Sequence, residues 1–215
     1  MDEIDKRINK MADEKLTKLV EKLKQNNFEA EIVPNKETAK KRMLEIIPKW
    51  SKVSYGGSVT ITSTGIKEEL KKGDYKFIDW TNVEGKEKEK LLLESLYSDY
   101  YLASSNAITM DGHLVNIDGR GNRVAAFCYG PKKVIMVIGK NKITEDEVTG
   151  IARIKAVAAP LNAKKLGKNT PCAKTGKCAN CKSEDRICRT ITINQSQYKN
   201  SNRIHIILVD EELGF

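Results

Sequence analysis

The segment Val134-Ile-Met-Val-Ile138 decides the fold of this 215-residue chain. Five apolar residues in succession predict a strand that is buried on both faces, as the strands of parallel sheets are. On its N-terminal side, Gly130-Pro131 separates it from a short helix predicted over 122–128. On its C-terminal side, Thr144 and Glu147 have the spacing of a capping box, which predicts a helix to about residue 159. A buried strand between two helices indicates an α/β fold.

Helices and strands alternate along the rest of the chain. The predicted helices are 3–26, 36–47, 59–71 and 87–96, and the predicted strands are 28–33, 52–55, 75–80, 100–102, 113–117, 190–194 and 204–209. This alternation predicts a mostly parallel sheet flanked by helices. We divide the chain into an N-terminal helical arm at 1–48 and an α/β domain at 49–215, which includes a cysteine-rich metal-binding segment at 167–190.

The net charge of +9 comes from an excess of lysine, with 30 Lys and 8 Arg against 29 acidic residues. The lysines are scattered along the chain, which predicts a solvated basic surface. Nucleic-acid surfaces rely on arginine for bidentate contacts and on aromatic rings for stacking. No Phe, Tyr or Trp lies between residues 171 and 190, around the cysteines. The composition therefore argues against a nucleic-acid partner.

The N-terminal residues predict a cytoplasmic protein. Acidic and basic side chains alternate over residues 2–7 without an apolar core, so we expect no signal peptide. No apolar run approaches the roughly 18 residues that a membrane span requires, so we expect none. In a reducing compartment, clustered cysteines indicate metal or redox sites rather than disulfides. A homo-oligomer is an open alternative to a monomer.

Four of the five cysteines form the pattern Cys172-x5-Cys178-x2-Cys181-x6-Cys188. Several thiolates close together bind soft metals, and a Cys-x2-Cys turn presents two of them. Lysine and arginine neighbours favour the thiolate form. The pattern predicts one metal centre, either a [4Fe–4S] cluster or a zinc ion, and the compact, unequal spacing slightly favours iron and sulfur. Cys128, alone in a short apolar helix, is predicted to be a small core residue.

Two glycine-containing loops are candidate anion sites, because glycine lets the backbone approach a ligand closely. Gly56-Gly57-Ser58 lies between a predicted strand and helix, and Ser58 can cap that helix. Residues 118–123 repeat the arrangement, and Ser104-Ser105-Asn106 follows a third strand. We expect both loops at the carboxyl ends of strands, in a shared polar cleft.

The usual catalytic constellations are missing from the sequence. It has no nucleophile elbow, no Walker loop and no dinucleotide fingerprint. The two histidines, His113 and His205, fall in predicted strands, where we expect structural roles. The catalytic residues are therefore not assigned.

The string from Ser104 to Ala126, together with Gly130-Pro131, residues 134–139 and Asn141-Lys142, closely resembles the lactate-utilisation (LUD) domain family. The resemblance covers about residues 35–210, including the four cysteines. It implies the fold of the sugar-phosphate isomerase and CoA-transferase-like group, whose glycine-rich loops hold phosphate or acyl-CoA groups. Carried over by position, those contacts fall on Gly56, Gly57, Ser58, Thr60, Asp118, Gly119, Gly121, Asn122 and Arg123, to which the polar cleft adds Asn106. The catalytic glutamate of the transferases has no clear match.

The resemblance also implies a function. Bacterial relatives work with iron–sulfur partner subunits to convert L-lactate to pyruvate. The expected function is therefore a metal- or iron–sulfur-containing accessory in lactate or organic-acid oxidation, as a subunit of an oxidoreductase. The alternative is an enzyme or sensor with a structural zinc site that binds an anionic small molecule: a sugar phosphate, a carboxylate or CoA.

Overall fold

The computed structural model describes the backbone of residues 3–215 and the side chains from residue 14 onward. The helices are α1 Glu3–Gln25, α2 Lys36–Ile46, α3 Val59–Ser63, α4 Ile66–Lys72, α5 Gly85–Ser95, α6 Asn122–Cys128, α7 Glu147–Arg153, α8 Ala159–Lys165 and α9 Pro171–Thr175. The strands are β1 Glu29–Val33, β2 Lys52–Tyr55, β3 Lys76–Phe77, β4 Tyr100–Ala103, β5 Ala107–Thr109, β6 Leu114–Asp118, β7 Lys133–Gly139, β8 Ile143–Thr144, β9 Thr190–Asn194 and β10 Ile204–Val209. A 3-10 turn at Lys140–Lys142 and a π-helical turn at Ile154–Ala158 complete the framework.

The strands form two sheets. The main sheet has six parallel strands in the order β1-β10-β7-β4-β2-β3. The second sheet has four strands in the order β8-β5-β6-β9 and is built on the antiparallel β5–β6 hairpin. The predicted α/β fold with a largely parallel sheet is confirmed, and the second sheet is an addition that the alternating pattern did not predict.

The central strand β7 is buried on both faces, as its apolar sequence predicted. Residues 134–138 have no solvent exposure. Val134, Met136 and Ile138 pack with α1 and α6 on one face of the main sheet. Ile135 and Val137 pack with α2, α3 and α4 on the other face. Apolar contact on both faces holds β7 at the centre of a sheet between two layers of helices.

The N-terminal segment contributes to the main sheet. Strand β1 pairs in parallel with β10, in the register Glu29 with His205. The α1 side chains of Leu19 and Leu23 are fully buried in the core on that side of the sheet. A domain boundary after residue 48 stays a prediction.

Several local predictions were wrong. The helix predicted over 59–71 divides into α3 and α4, because Gly65 adopts a left-handed conformation with φ of +71°. The capping box lies two residues later than predicted, since Asp146 caps α7 and exchanges hydrogen bonds with Thr149. The helix also continues past Pro160, which lies in the first turn of α8, where a missing N–H is tolerated.

Cys128 is exposed instead of buried. The buried positions of α6 are Arg123, Val124, Ala126 and Phe127. Cys128 ends the helix on its solvent side, so it takes no part in the core.

In the described part of the chain, no helix combines the length and the apolar character needed to cross a membrane.

Candidate functional site

The four clustered cysteines line a single pocket, which we name the four-cysteine pocket. Helix α9 and the loop after α9 form one side of the pocket. The π-helical turn and the first residue of α8 form the other. Its lining residues are Lys155, Ala159, Thr170, Cys172, Cys178, Ala179, Asn180, Cys181, Arg186, Ile187 and Cys188. Residues that are separated by up to 16 positions in the sequence therefore present their thiols to the same space.

Arg186 organises the loop that carries three of the cysteines. Its guanidinium donates to the backbone carbonyl of Cys181 at 2.7 Å and to that of Cys188 at 2.6 Å. A third, longer hydrogen bond reaches the side chain of Asn180 at 3.4 Å. Charge-assisted bonds to two carbonyls fix the backbone beside two thiols and place a cation next to them.

The thiol of Cys188 shows how close the four cysteines are. Its pKa is raised, first by burial and then by the negative charges of Cys178, Cys172 and Cys181, while Arg186 opposes the shift. Among the described residues, no group of three or more Cys, His, Asp or Glu side chains is placed to hold a metal ion as it stands. The thiols share one pocket without closing around one point.

The first glycine loop follows β2 and packs against Arg123. A Cβ atom on Gly56 would lie 2.9 Å from the Cγ atom of Arg123 and 3.0 Å from the hydroxyl of Tyr101. Ser58 caps α3 by accepting a hydrogen bond from the backbone of Ile61, as predicted. Gly56 is thus needed because the Arg123 side chain passes over it.

The guanidinium of Arg123 is buried and is bonded within the protein. Its two terminal nitrogens donate to four acceptors: the carbonyls of Ser104 and Ile117 and the side chains of Asn116 and Asn106. The carboxylate of Asp118 lies 3.6 Å from Nε and accepts from the backbone N–H of Arg123. Burial lowers the pKa of Arg123, and Asp118 opposes that shift. The guanidinium ties the second glycine loop to the turn after β4.

The second glycine loop lies at the carboxyl end of a strand, as predicted, but this strand is outside the main sheet. It follows β6, which belongs to the second sheet because the β5–β6 hairpin diverts the chain. Gly121 precedes α6 with φ of +89°, and Asn122 is the first residue of that helix. Gly119 packs against Ile187, where a Cβ atom would lie 3.3 Å from the Cα atom. The two glycine loops meet through the Gly56–Arg123 contact, and their ligand contacts stay predictions.

A buried lysine next to these loops was missed as a site residue. Lys142 is 3% exposed, and its ammonium donates to Thr60 Oγ1 at 2.8 Å and to Ser104 Oγ at 2.9 Å. Half-buried Arg153 lies beside it and donates to the carbonyls of Asn106 and Asn141. We name Arg123, Lys142 and Arg153 the cationic centre. The sequence signals for Lys142 were its position shortly after a strand that is buried on both faces and its place in the Asn141-Lys142 pair of the family resemblance.

The cationic centre and the four-cysteine pocket are structurally connected. The backbone N–H of Arg189 donates to the carbonyl of Asp118 at 2.9 Å. Cys188 packs against the small apolar cluster that contains Ile117 and Ile154. Arg153, which belongs to the cationic centre, directly precedes the π-helical turn that carries Lys155 into the pocket. π-helical turns are frequent at functional sites.

Both histidines are paired with carboxylates. His113 contacts Glu147 at 2.6 Å, and His205 lies between Glu29 and Glu31 at 2.9 and 2.6 Å. These pairs support the structural roles that were expected.

Comparison with known proteins identifies the family. A solved structure of a DUF162 family protein from Deinococcus radiodurans has the same fold, with a TM-score of 0.54 at 13% sequence identity over 92% of this chain and 98% of that chain. The model of the LUD domain family matches residues 16–209. The chain belongs to the LUD domain family. No curated protein matches it significantly. The LUD model spans both the cationic centre and the four-cysteine pocket, so both lie within the family domain.

Proposed function

We propose that this LUD protein is a redox accessory in the oxidation of lactate or a similar organic acid, and that its four cysteines hold one [4Fe–4S] cluster. The observation that supports the proposal is the convergence of Cys172, Cys178, Cys181 and Cys188 on one pocket. When bound, such a cluster supplies one-electron transfer at a potential that its surroundings set. The family name supports lactate or a similar acid as the substrate class, and the shared pocket supports a metal centre at the four cysteines.

The residues around the thiols fit such a group. Four thiolates and a cluster carry net negative charge, and the pocket also contains the cations Lys155 and Arg186. Hydrogen bonds and nearby charge are the usual means by which a protein tunes a cluster. Arg186 also fixes the backbone next to Cys181 and Cys188.

The spacing of the cysteines favours a cluster over a zinc ion. Structural zinc sites often have two Cys-x2-Cys turns, whereas this chain has one, and its other two gaps are unequal. In a [4Fe–4S] cluster each of the four cysteines binds a different iron. A single zinc ion remains the alternative.

We further propose that the protein is cytoplasmic and acts with iron–sulfur oxidoreductase subunits, since an accessory must exchange electrons with a partner. An enzyme or sensor for an anionic small molecule, with a structural zinc site, is the second candidate function. The cationic centre favours it, because it brings three buried or half-buried cations together, and only Arg123 among them lies beside a carboxylate, that of Asp118.

Cysteine variants test the proposed centre. We expect Cys181→Ser, expressed and purified without oxygen, to lose the cluster, because three thiolates and a hydroxyl hold it poorly. Cys128→Ser is the matched control, since Cys128 is exposed and lies outside the pocket. Iron and acid-labile sulfide content, with the visible absorption, provide the measurement. Equal metal content in Cys181→Ser and the wild type would overturn the assignment.

A further inference from the structure

Lys142 has an uncommon environment for a lysine. Lys142 is 3% exposed, and its ammonium donates hydrogen bonds to two hydroxyl groups, those of Thr60 and Ser104. An ammonium has three N–H donors, and within the described residues these two hydroxyls are its hydrogen-bond partners. One donor is therefore free for another acceptor.

The charge of Lys142 is also uncompensated. The charged groups that act on it are Arg153 and Arg123, both of the same sign. Burial first, and then these two cations, lower the pKa of Lys142 to about 7. Asp118 lies beside Arg123 and is not among the groups that act on Lys142. Buried charges are normally paired, and among the described residues the ammonium of Lys142 has hydroxyl partners and no ion pair with a carboxylate.

The ammonium of Lys142 and the two hydroxyls that it contacts come from the carboxyl ends of three neighbouring strands. Thr60 follows β2 in α3, Ser104 directly follows β4, and Lys142 follows β7 in the 3-10 turn. Strands β7, β4 and β2 are adjacent and parallel in the main sheet. In open α/β sheets, ligands bind at this edge.

We propose that Lys142, together with Thr60 and Ser104, binds the carboxylate of a small organic acid. This proposal rests on the proposed function for the class of acid, and its location rests on the unpaired cation. The site suits a carboxylate better than a phosphate or CoA group, because the terminal nitrogens of Arg123 already have four acceptors in the protein. The ammonium supplies its free donor, and the two hydroxyls supply theirs once they leave their present acceptors, the Leu213 carbonyl for Thr60 and the Ser105 carbonyl for Ser104.

The segment at Leu213 and Gly214 covers this site. Thr60 Oγ1 donates to the carbonyl of Leu213 at 3.1 Å, and Gly214 packs closely on the same hydroxyl. The Leu213 carbonyl thus accepts the hydrogen bond from Thr60 that a carboxylate oxygen would otherwise accept. Binding requires this short segment to move aside.

Titration with sodium pyruvate, sodium L-lactate and sodium phosphate at constant ionic strength tests the site. Lys142→Met keeps the length of the side chain and removes its charge. Lys140→Met is the matched control. Lys140 lies two residues before Lys142 in the sequence, and it forms an ion pair with Asp210 on the surface. We expect pyruvate or lactate to raise the melting temperature of the wild type and of Lys140→Met, and affinity to fall about tenfold or more in Lys142→Met.

Folding of the variant is measured at the same time. Lys142→Met removes an unpaired buried charge, so without ligand it is expected to melt at or above the wild-type temperature. If it does not fold, Thr60→Val, which removes one hydroxyl at constant shape, must weaken binding instead. Equal binding by the wild type and the folded variant, no binding of either acid, or a response to phosphate alone would overturn the proposal.

The same titration with Cys181→Ser separates this site from the four-cysteine centre. Carboxylate binding that persists in protein without metal supports the Lys142 site whatever the outcome for the cluster. A protein that contains the cluster and binds neither acid rejects the Lys142 site and leaves the cluster assignment standing.

Discussion

The four-cysteine pocket and the cationic centre differ in how the sequence encodes them. The pocket comes from one continuous segment, and its cysteines are exposed or half-buried on a loop. The cationic centre combines Arg123, Lys142 and Arg153 from different elements, and two of the three are buried. Spacing along the chain therefore reveals the first, and only the fold reveals the second. The first gathers four thiols around one pocket, and the second already uses most of its polar groups to hold the structure together.

The largest effect on stability should come from Arg123→Ala in the cationic centre. The change leaves buried acceptors on Asn106, Asn116 and two carbonyls without a donor, so we expect a loss of about 3–5 kcal/mol of unfolding free energy. Urea denaturation measures it. The control is Arg120→Ala, since Arg120 is exposed and pairs with Glu89 on the surface, and no clear change is expected. A loss below about 1 kcal/mol would show that Arg123 is free to act mainly on a ligand.

Lys142 should make stability depend on pH in the alkaline range. Its pKa is about 7 in the folded protein against 10.5 ordinarily, so between these values the unfolded state binds more protons. The free energy of unfolding should therefore rise with pH between 7 and 10.5, by at most about 1.4 kcal/mol per pH unit. Urea denaturation at several pH values, compared between the wild type and Lys142→Met, isolates this contribution. Identical pH profiles for the two proteins would contradict it.

A smaller effect is expected at the first glycine loop. Gly56→Ala places a methyl group 2.9 Å from Arg123 Cγ, so we expect a loss of about 1–3 kcal/mol as the guanidinium is displaced. Gly57→Ala is the control, because its nearest neighbour, Trp80, is 3.6 Å away, and the change should stay within about 0.5 kcal/mol. Thermal denaturation of both proteins provides the comparison. Equal melting temperatures would show that the packing of Gly56 on Arg123 contributes little.

The sequence predicted the main sheet because strand burial and helix periodicity are local signals. The strand at residues 134–138 and the helix at 122–128 were both found where expected. The second sheet could not be predicted, because the pairing of β6 with β9 joins residues more than 70 positions apart. The capping box was misplaced because Thr144 and Asp146 are both good caps, and the choice between them depends on how β8 pairs with β5.

The two candidate sites also differ in whether local sequence or long-range contacts define them. Four cysteines within 17 residues form a pattern that is visible in the sequence itself. Lys142 is one of 30 lysines, and although it belongs to the Asn141-Lys142 pair of the family resemblance, no local pattern showed that the fold buries it. Arg123 was expected to bind a ligand, but the distant partners Asn106 and Ser104, which the fold brings to it, were not foreseeable from its own neighbours.

Metal analysis of the wild-type protein, purified without oxygen, tests the account most directly. A [4Fe–4S] centre in the four-cysteine pocket predicts about four iron and four sulfide per chain, with a visible absorption that changes on reduction. The contrary result is a colourless protein that contains one zinc ion, or no metal and five thiols that react freely.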